Sequence, residues 1–127
     1  MTENELATIA VDIAFKIHSR LGPGLLESVY EAIMLYELRK RGLRAEKQVP
    51  VPVIWEEVKL EIGFRADIIV EGKLILELKS CEAVEPVHKK QLLTYLRLAD
   101  CRLGLLINFN VPLIKHGISR VVNNLPE

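Results

Sequence analysis

Two nearly continuous apolar runs carry charge where a buried strand tolerates it least. Phe64-Arg65-Ala66-Asp67-Ile68-Ile69-Val70 and Leu74-Ile75-Leu76-Glu77-Leu78-Lys79 have the length and branched-aliphatic content of strands covered on both faces. A carboxylate on such a strand is costly unless it is paired or bound to a cation. Side chains alternate along a strand, so Glu77 and Lys79 leave one face while Leu76 and Leu78 leave the other. Asp67 joins the first pair only if the turn preserves parity. A three-residue loop ending at Gly72 puts Asp67 and Glu77 on one face, whereas a two-residue loop separates them. Two carboxylates and an ammonium group converging on an apolar sheet make a place for a divalent cation and a phosphate, which points to metal-assisted phosphodiester hydrolysis. Taken alone, a Glu-x-Lys triplet is an ordinary solvated edge in a chain rich in both charges; the apolar flanks set this one apart.

Around that hairpin the periodicity predicts helices. Leu6, Ile9, Ile13 and Ile17 recur at helical spacing over residues 4–20, with Thr2 and Glu5 forming a capping box, until Leu21-Gly22-Pro23-Gly24 breaks the run. A second helix is expected over residues 25–41, stopped by Gly42, with Leu26, Val29, Ile33 and Tyr36 as its buried stripe. Residues 46–55 read as a strand whose Pro50 and Pro52 call for an edge position or a bulge. Pro86 suits the first turn of a third helix reaching Ala99. Residues 102–109 form a further buried strand, and residues 117–123 read equally as a short strand or a helical turn. Helix, helix, three strands, helix, strand is the order of an α/β fold: a mixed central β-sheet flanked by helices, with the last long strand brought back parallel to the hairpin through the third helix.

A chain of 127 residues, half of them hydrophobic, is expected to form a single domain over residues 1–127 with a sizeable core. No apolar run reaches the roughly 18 to 20 residues that span a bilayer, and the first residues are acidic where a signal peptide is basic, so the expectation is a soluble, cytoplasmic protein without membrane partners. Cys81 and Cys101 have no ligand spacing and read as reduced, partly buried thiols. Seventeen acidic residues balance seventeen basic ones, which counts against strong autonomous nucleic-acid binding. Local basic patches remain at Arg39-Lys40-Arg41 with Arg44 and Lys47, and at Lys89-Lys90.

Two helices carry polar residues able to face the hairpin. Glu27, Tyr30 and Glu31 share one face of the second helix. Glu27 is a first-turn acid favoured by the helix dipole, or else a third metal ligand acting directly or through water; Tyr30 is first a core aromatic with a satisfied hydroxyl. Gln91 and Tyr95 lie four apart on the third helix, either as an amphipathic boundary or as contacts to a phosphate and to the acids. His88, one turn earlier, is a surface histidine, since magnesium-type oxygen sites rarely use imidazole.

The ordered set Glu27, Asp67, Glu77-x-Lys79 and Gln91-x-x-x-Tyr95 resembles the PD-(D/E)xK nuclease superfamily over most of the chain. More narrowly, Gly24-Leu25-Leu26-Glu27-Ser28-Val29-Tyr30 resembles the signature of the GxxExxY family within it. Leu21-Gly22-Pro23-Gly24, Gln48-Val49-Pro50-Val51-Pro52 and Leu105-Leu106-Ile107-Asn108-Phe109 are similar to that family as well. The resemblance implies a restriction-endonuclease-like core and a site for Mg²⁺ or Mn²⁺ at Asp67, Glu77, the Leu78 carbonyl and Glu27. Lys79 would be the catalytic lysine, and Gln91 and Tyr95 would match the pair of the exonuclease branch. The superfamily's proline before the aspartate is Ala66 here.

The leading expectation is therefore Mg²⁺-dependent hydrolysis of nucleic acid, DNA first. The rival is a nucleic-acid-binding or regulatory module whose catalysis is absent or depends on a partner, motivated by the zero net charge. A glycoside or small-phosphate hydrolase is a weaker third reading, because two glycosidase carboxyls need no adjacent ammonium group. A small neutral domain could also widen its groove as a homodimer or with a protein partner.

Overall fold

The structure, a computed structural model, describes residues 1–126. Among the described residues, three α-helices, five strands and one 3-10 turn occur in the order α1 (Glu3–Leu21), α2 (Glu27–Lys40), β1 (Ala45–Trp55), β2 (Val58–Val70), β3 (Leu74–Lys79), α3 (Pro86–Ala99), β4 (Leu103–Asn108), the 3-10 turn Ile114–His116 and β5 (Ile118–Val122). The strands form one mixed sheet, ordered β1-β2-β3-β4-β5. β3 and β4 run parallel, and every other neighbouring pair is antiparallel. Connecting parallel neighbours requires a crossover, and α3 supplies it.

The two faces of β3 feed two cores. Leu74, Leu76 and Leu78 pack beneath α1 and α2, whereas Ile75 packs beneath α3 with Leu92, Leu96 and Leu106. This is why β3 reads as an uninterrupted apolar run, and why its one acid is so conspicuous. α1 begins with the expected box, in which the Thr2 hydroxyl accepts from the Glu5 amide and the Glu5 carboxylate accepts from the Thr2 amide. α3 starts at Pro86, and the His88 ring accepts the Glu85 amide hydrogen at 3.0 Å, so His88 acts as a capping residue.

One expectation is corrected. α2 starts two residues later than its apolar spacing suggests, and its buried face is Tyr30, Met34, Leu35 and Leu38; Leu26, Val29 and Tyr36 are exposed. The reason is the Gly22–Leu26 turn, which starts the helix with Tyr30 turned toward the sheet. The Tyr30 ring stacks on Phe109 at 4.2 Å, a contact worth about 0.5–1.5 kcal/mol beyond its area. Its hydroxyl donates to the Gly22 carbonyl at 2.7 Å and accepts from the Leu25 amide at 3.2 Å. The double coverage expected of residues 64–70 does not extend to the earlier part of β2. Residues 58–61 and Gly63 are exposed, and with the end of β1 they form a two-stranded arm. β1 is an edge strand whose register shifts between Val51 and Val53, as its prolines required.

Candidate active site

Glu71, Gly72 and Lys73 are the three unpaired residues between β2 and β3, the turn being closed by the Lys73 amide donating to the Val70 carbonyl at 2.9 Å. Both central residues have positive φ, 52° at Glu71 and 64° at Gly72, so the loop needs the left-handed region twice and glycine takes only one of those positions. Its length is the three residues expected, displaced by one from an end at Gly72. The resulting pairs Val70↔Leu74, Ile69↔Ile75 and Ile68↔Leu76 bring Asp67 opposite Glu77.

At that point the backbone ladder stops and carboxylates take over its bonds. The Asp67 amide donates to Glu77 Oε1 at 3.3 Å, and the Leu78 amide donates to Asp67 Oδ2 at 2.8 Å. The alternation along β2 also changes here: Phe64 and Ala66 pack on the α3 side, Ile68 and Val70 on the α1–α2 side. Gln48, across from Asp67 in β1, is missing from that ladder and has φ 50°. The strand rolls at Asp67, which opens the sheet where the two acids meet.

Glu77 is buried. Burial first, and the Asp67 charge second, push its carboxyl up to about 8. Burial raises Asp67 too, against the lowering effect of the Leu78 amide, and the charge of Glu27 adds to the rise. Half-buried Lys79 pulls both acids the other way. Two crowded acids that resist ionising suit a hard divalent cation, whose charge would offset their repulsion and whose preferred donors are carboxylate oxygens.

The remaining site residues divide. Glu27, the first residue of α2, is exposed; its Oε1 accepts from the Ser80 amide at 3.3 Å, just past the end of β3. The Ser80 hydroxyl donates to the Leu25 carbonyl at 2.6 Å, so this residue ties the α2 start to the strand bearing Glu77. The Tyr95 ring stacks on Phe64, with centroids 3.4 Å apart. Burial raises its hydroxyl pKa, and the charges of Glu77 and Asp67 raise it further, as expected of a phenol facing the acids. Gln91 is exposed and makes no side-chain hydrogen bond among the described residues. Nor do the described residues bring three or more His, Cys, Asp or Glu side chains together closely enough to hold a metal ion. Glu27 therefore does not close a ready-made three-acid shell with Asp67 and Glu77.

The sequence reading missed two supports. Asn108, buried in β4, accepts from the Cys81 and Asn110 amides and donates to the Cys81 carbonyl, fastening the chain that leaves β3. An amide-bearing side chain inside the run Leu105–Phe109 was the signal for it, since a buried amide must be bonded. Ser80 has no such signal. An open cavity of about 640 Å³, lined by Leu25, Leu26, Glu27, Ser80 and Asn110 among others, lies at this end of β3.

A mixed sheet flanked by three helices, with a carboxylate pair where a central hairpin opens, defines an α/β protein of the restriction-endonuclease-like kind. A family model for the PD-(D/E)XK nuclease superfamily matches residues 4–121, and the chain belongs to that superfamily. No curated protein and no solved structure matches it.

Proposed function

We propose that this protein is a Mg²⁺- or Mn²⁺-dependent nuclease that hydrolyses nucleic-acid phosphodiester bonds, DNA foremost, as a single cytoplasmic domain. The observation that carries the reading is the meeting of Asp67 and Glu77, both reluctant to ionise, beside Lys79 at the open end of the β2–β3 ladder. These acids, with the Leu78 carbonyl, would hold the cation, and Glu27 would act through water from the start of α2. When bound, the cation supplies charge stabilisation at the phosphate and acidifies water. Lys79 would orient the attacking water or neutralise charge developing on phosphate oxygens, as a compact ammonium in a low-dielectric site can. Tyr95, held by its stack on Phe64, would set the position of the acids, and Gln91 would reach the phosphate from the solvent side of α3.

The Gly24–Tyr30 segment supports placing the chain in the GxxExxY family. Gly24 has φ 95°, Tyr30 holds the turn through its hydroxyl, and Glu27 projects from that turn to Ser80. Cleavage of single- and double-stranded DNA and RNA with Mg²⁺ or Mn²⁺ tests the activity. The proposal fails if pure protein cleaves none of them, or if Glu77→Ala cleaves as well as wild type.

The second reading, a nucleic-acid-binding or regulatory module, draws on the zero net charge and on the lack of a ready-made three-acid shell among the described residues. It predicts salt-dependent association without turnover.

A further inference from the structure

The arm formed by the end of β1 and the start of β2 has an apolar face that none of the described residues covers. The pairs Val53↔Leu60 and Trp55↔Val58 put these four side chains on one side of the ribbon. Trp55 is 68% exposed, Val58 53% and Leu60 41%. Isolated two-stranded ribbons are marginal in water, so an apolar face on one calls for a cover. At the base of the arm the backbones approach closely, since a Cβ at Gly63 would collide with the Val51 carbonyl where the register shifts.

We infer that this arm docks on a second copy of the chain, in the groove along the outer face of α2, and that the exchange is reciprocal. That groove, about 490 Å³, is formed by Ala32, Leu35 and Tyr36 with Arg39 and Lys40 at its rim. Tyr36 is 63% exposed there, with the Lys40 ammonium 6.0 Å above its ring. The arm's turn carries Glu56 and Glu57, which complement that basic rim. The same acids disfavour a nucleic-acid phosphate as occupant.

The arm does not reach its own groove. Arg39, near the end of α2, donates to the Ala45 carbonyl at the start of β1, whereas Gln48 bonds Glu31 nearer the helix start. Helix and strand run in opposite directions, so β1 carries the arm past the start of α2, away from the basic rim. Pro50 and Pro52 remove two amide donors from this edge strand, which favours contact through a face over strand-to-strand pairing. Zero net charge sets no long-range repulsion between two copies.

Trp55 is the only tryptophan, so its emission reports on the arm directly. Sedimentation of the full chain across a concentration series should give a dimer that dissociates on dilution, with Trp55 emission moving to the red at the same midpoint. Trp55→Ala, Glu57→Lys and Tyr36→Glu should each weaken association at least about tenfold while leaving the circular dichroism unchanged. A mixture of Trp55→Ala and Tyr36→Glu should recover association that neither has alone, because one intact arm then meets one intact groove. A wild type that stays monomeric with concentration-independent emission overturns the inference. So does a dimer indifferent to these substitutions, which would use another surface.

Discussion

Glu37 and Glu77 have the same residue exposure, 8%, but the Glu37 carboxylate meets a partly exposed lysine whereas that of Glu77 lies deeper, and the structure treats them in opposite ways. Glu37 faces Lys16 at 2.8 Å, and that hydrogen bond holds its carboxyl below the usual range. Glu77 faces Asp67, and burial together with that neighbour pushes it up to about 8. One acid has a partner within the chain and serves to join α1 to α2. The other lacks sufficient compensating charge, although Lys79 stands near. A protein can keep such a pair only at some cost to its metal-free fold, and the cost is explained if a cation completes the site. The acid that the fold leaves uncompensated is the one to which the proposed function gives a chemical role.

The largest expected effect separates the two acids by activity. Glu77→Gln should lower the cleavage rate by about a thousandfold or more, the scale of losing a central electrostatic group, while Glu37→Gln should leave it within about threefold. Cleavage assays on both purified variants check this, and equal losses would erase the distinction.

Their pH dependence should differ in sign. Glu77 has a raised folded pKa, so its contribution to metal-free stability is fully present below about 4.5 and is lost as pH rises toward 8. Glu37 has a lowered folded pKa, so its contribution is present above about 4.5 and is lost as pH falls through the folded value. Urea unfolding in EDTA from pH 2 to 9 should show a decline between about pH 4.5 and 8 that Glu77→Gln flattens. Glu37→Gln should lower stability by a constant amount above about pH 4.5, a difference that disappears as pH falls through the folded value. A decline across that window that persists unchanged in Glu77→Gln would place its origin elsewhere.

Smaller effects refine the picture. Glu37→Gln should cost about 1 kcal/mol at neutral pH, as expected of an ion pair whose lysine is partly in water. Tyr95→Phe should change stability by less than about 1 kcal/mol, because the stack on Phe64 remains. Thermal melts measure both, and a large loss in Tyr95→Phe would make that hydroxyl a structural group.

Much of this contrast was legible before any coordinates. Charges inside two apolar strand-length runs located Asp67, Glu77 and Lys79, because burial makes an unpaired acid conspicuous whatever the fold. Loop parity was legible as a conditional, and Gly72 was its clue; the second left-handed residue, Glu71, carries no signature because glutamate has no preference for that region. The buried face of α2 was misread because Leu26, Val29 and Tyr36 keep an apolar period that the Tyr30–Gly22 hydrogen bond overrides. Glu37 carries no mark in the sequence, since Lys16 lies far from it and only the packing of α1 on α2 joins them. The roll of β2 at Asp67 depends on contacts with β1 and α3, which local alternation does not encode.

The central claim is that Asp67 and Glu77 are crowded in readiness for a cation, and one comparison of melting temperatures tests it: wild type against Asp67→Asn, each in EDTA and in Mn²⁺. A ligand that binds only the native state stabilises by about 2.7 kcal/mol at a hundredfold excess over its Kd. In a domain of this size that is a rise of roughly 5 to 15 °C. Wild type should show that rise, whereas Asp67→Asn should match or exceed wild type in EDTA and gain little from Mn²⁺. Equal Mn²⁺ shifts in the two proteins, or an Asp67→Asn variant much less stable in EDTA, would make Asp67 a structural residue and contradict the account.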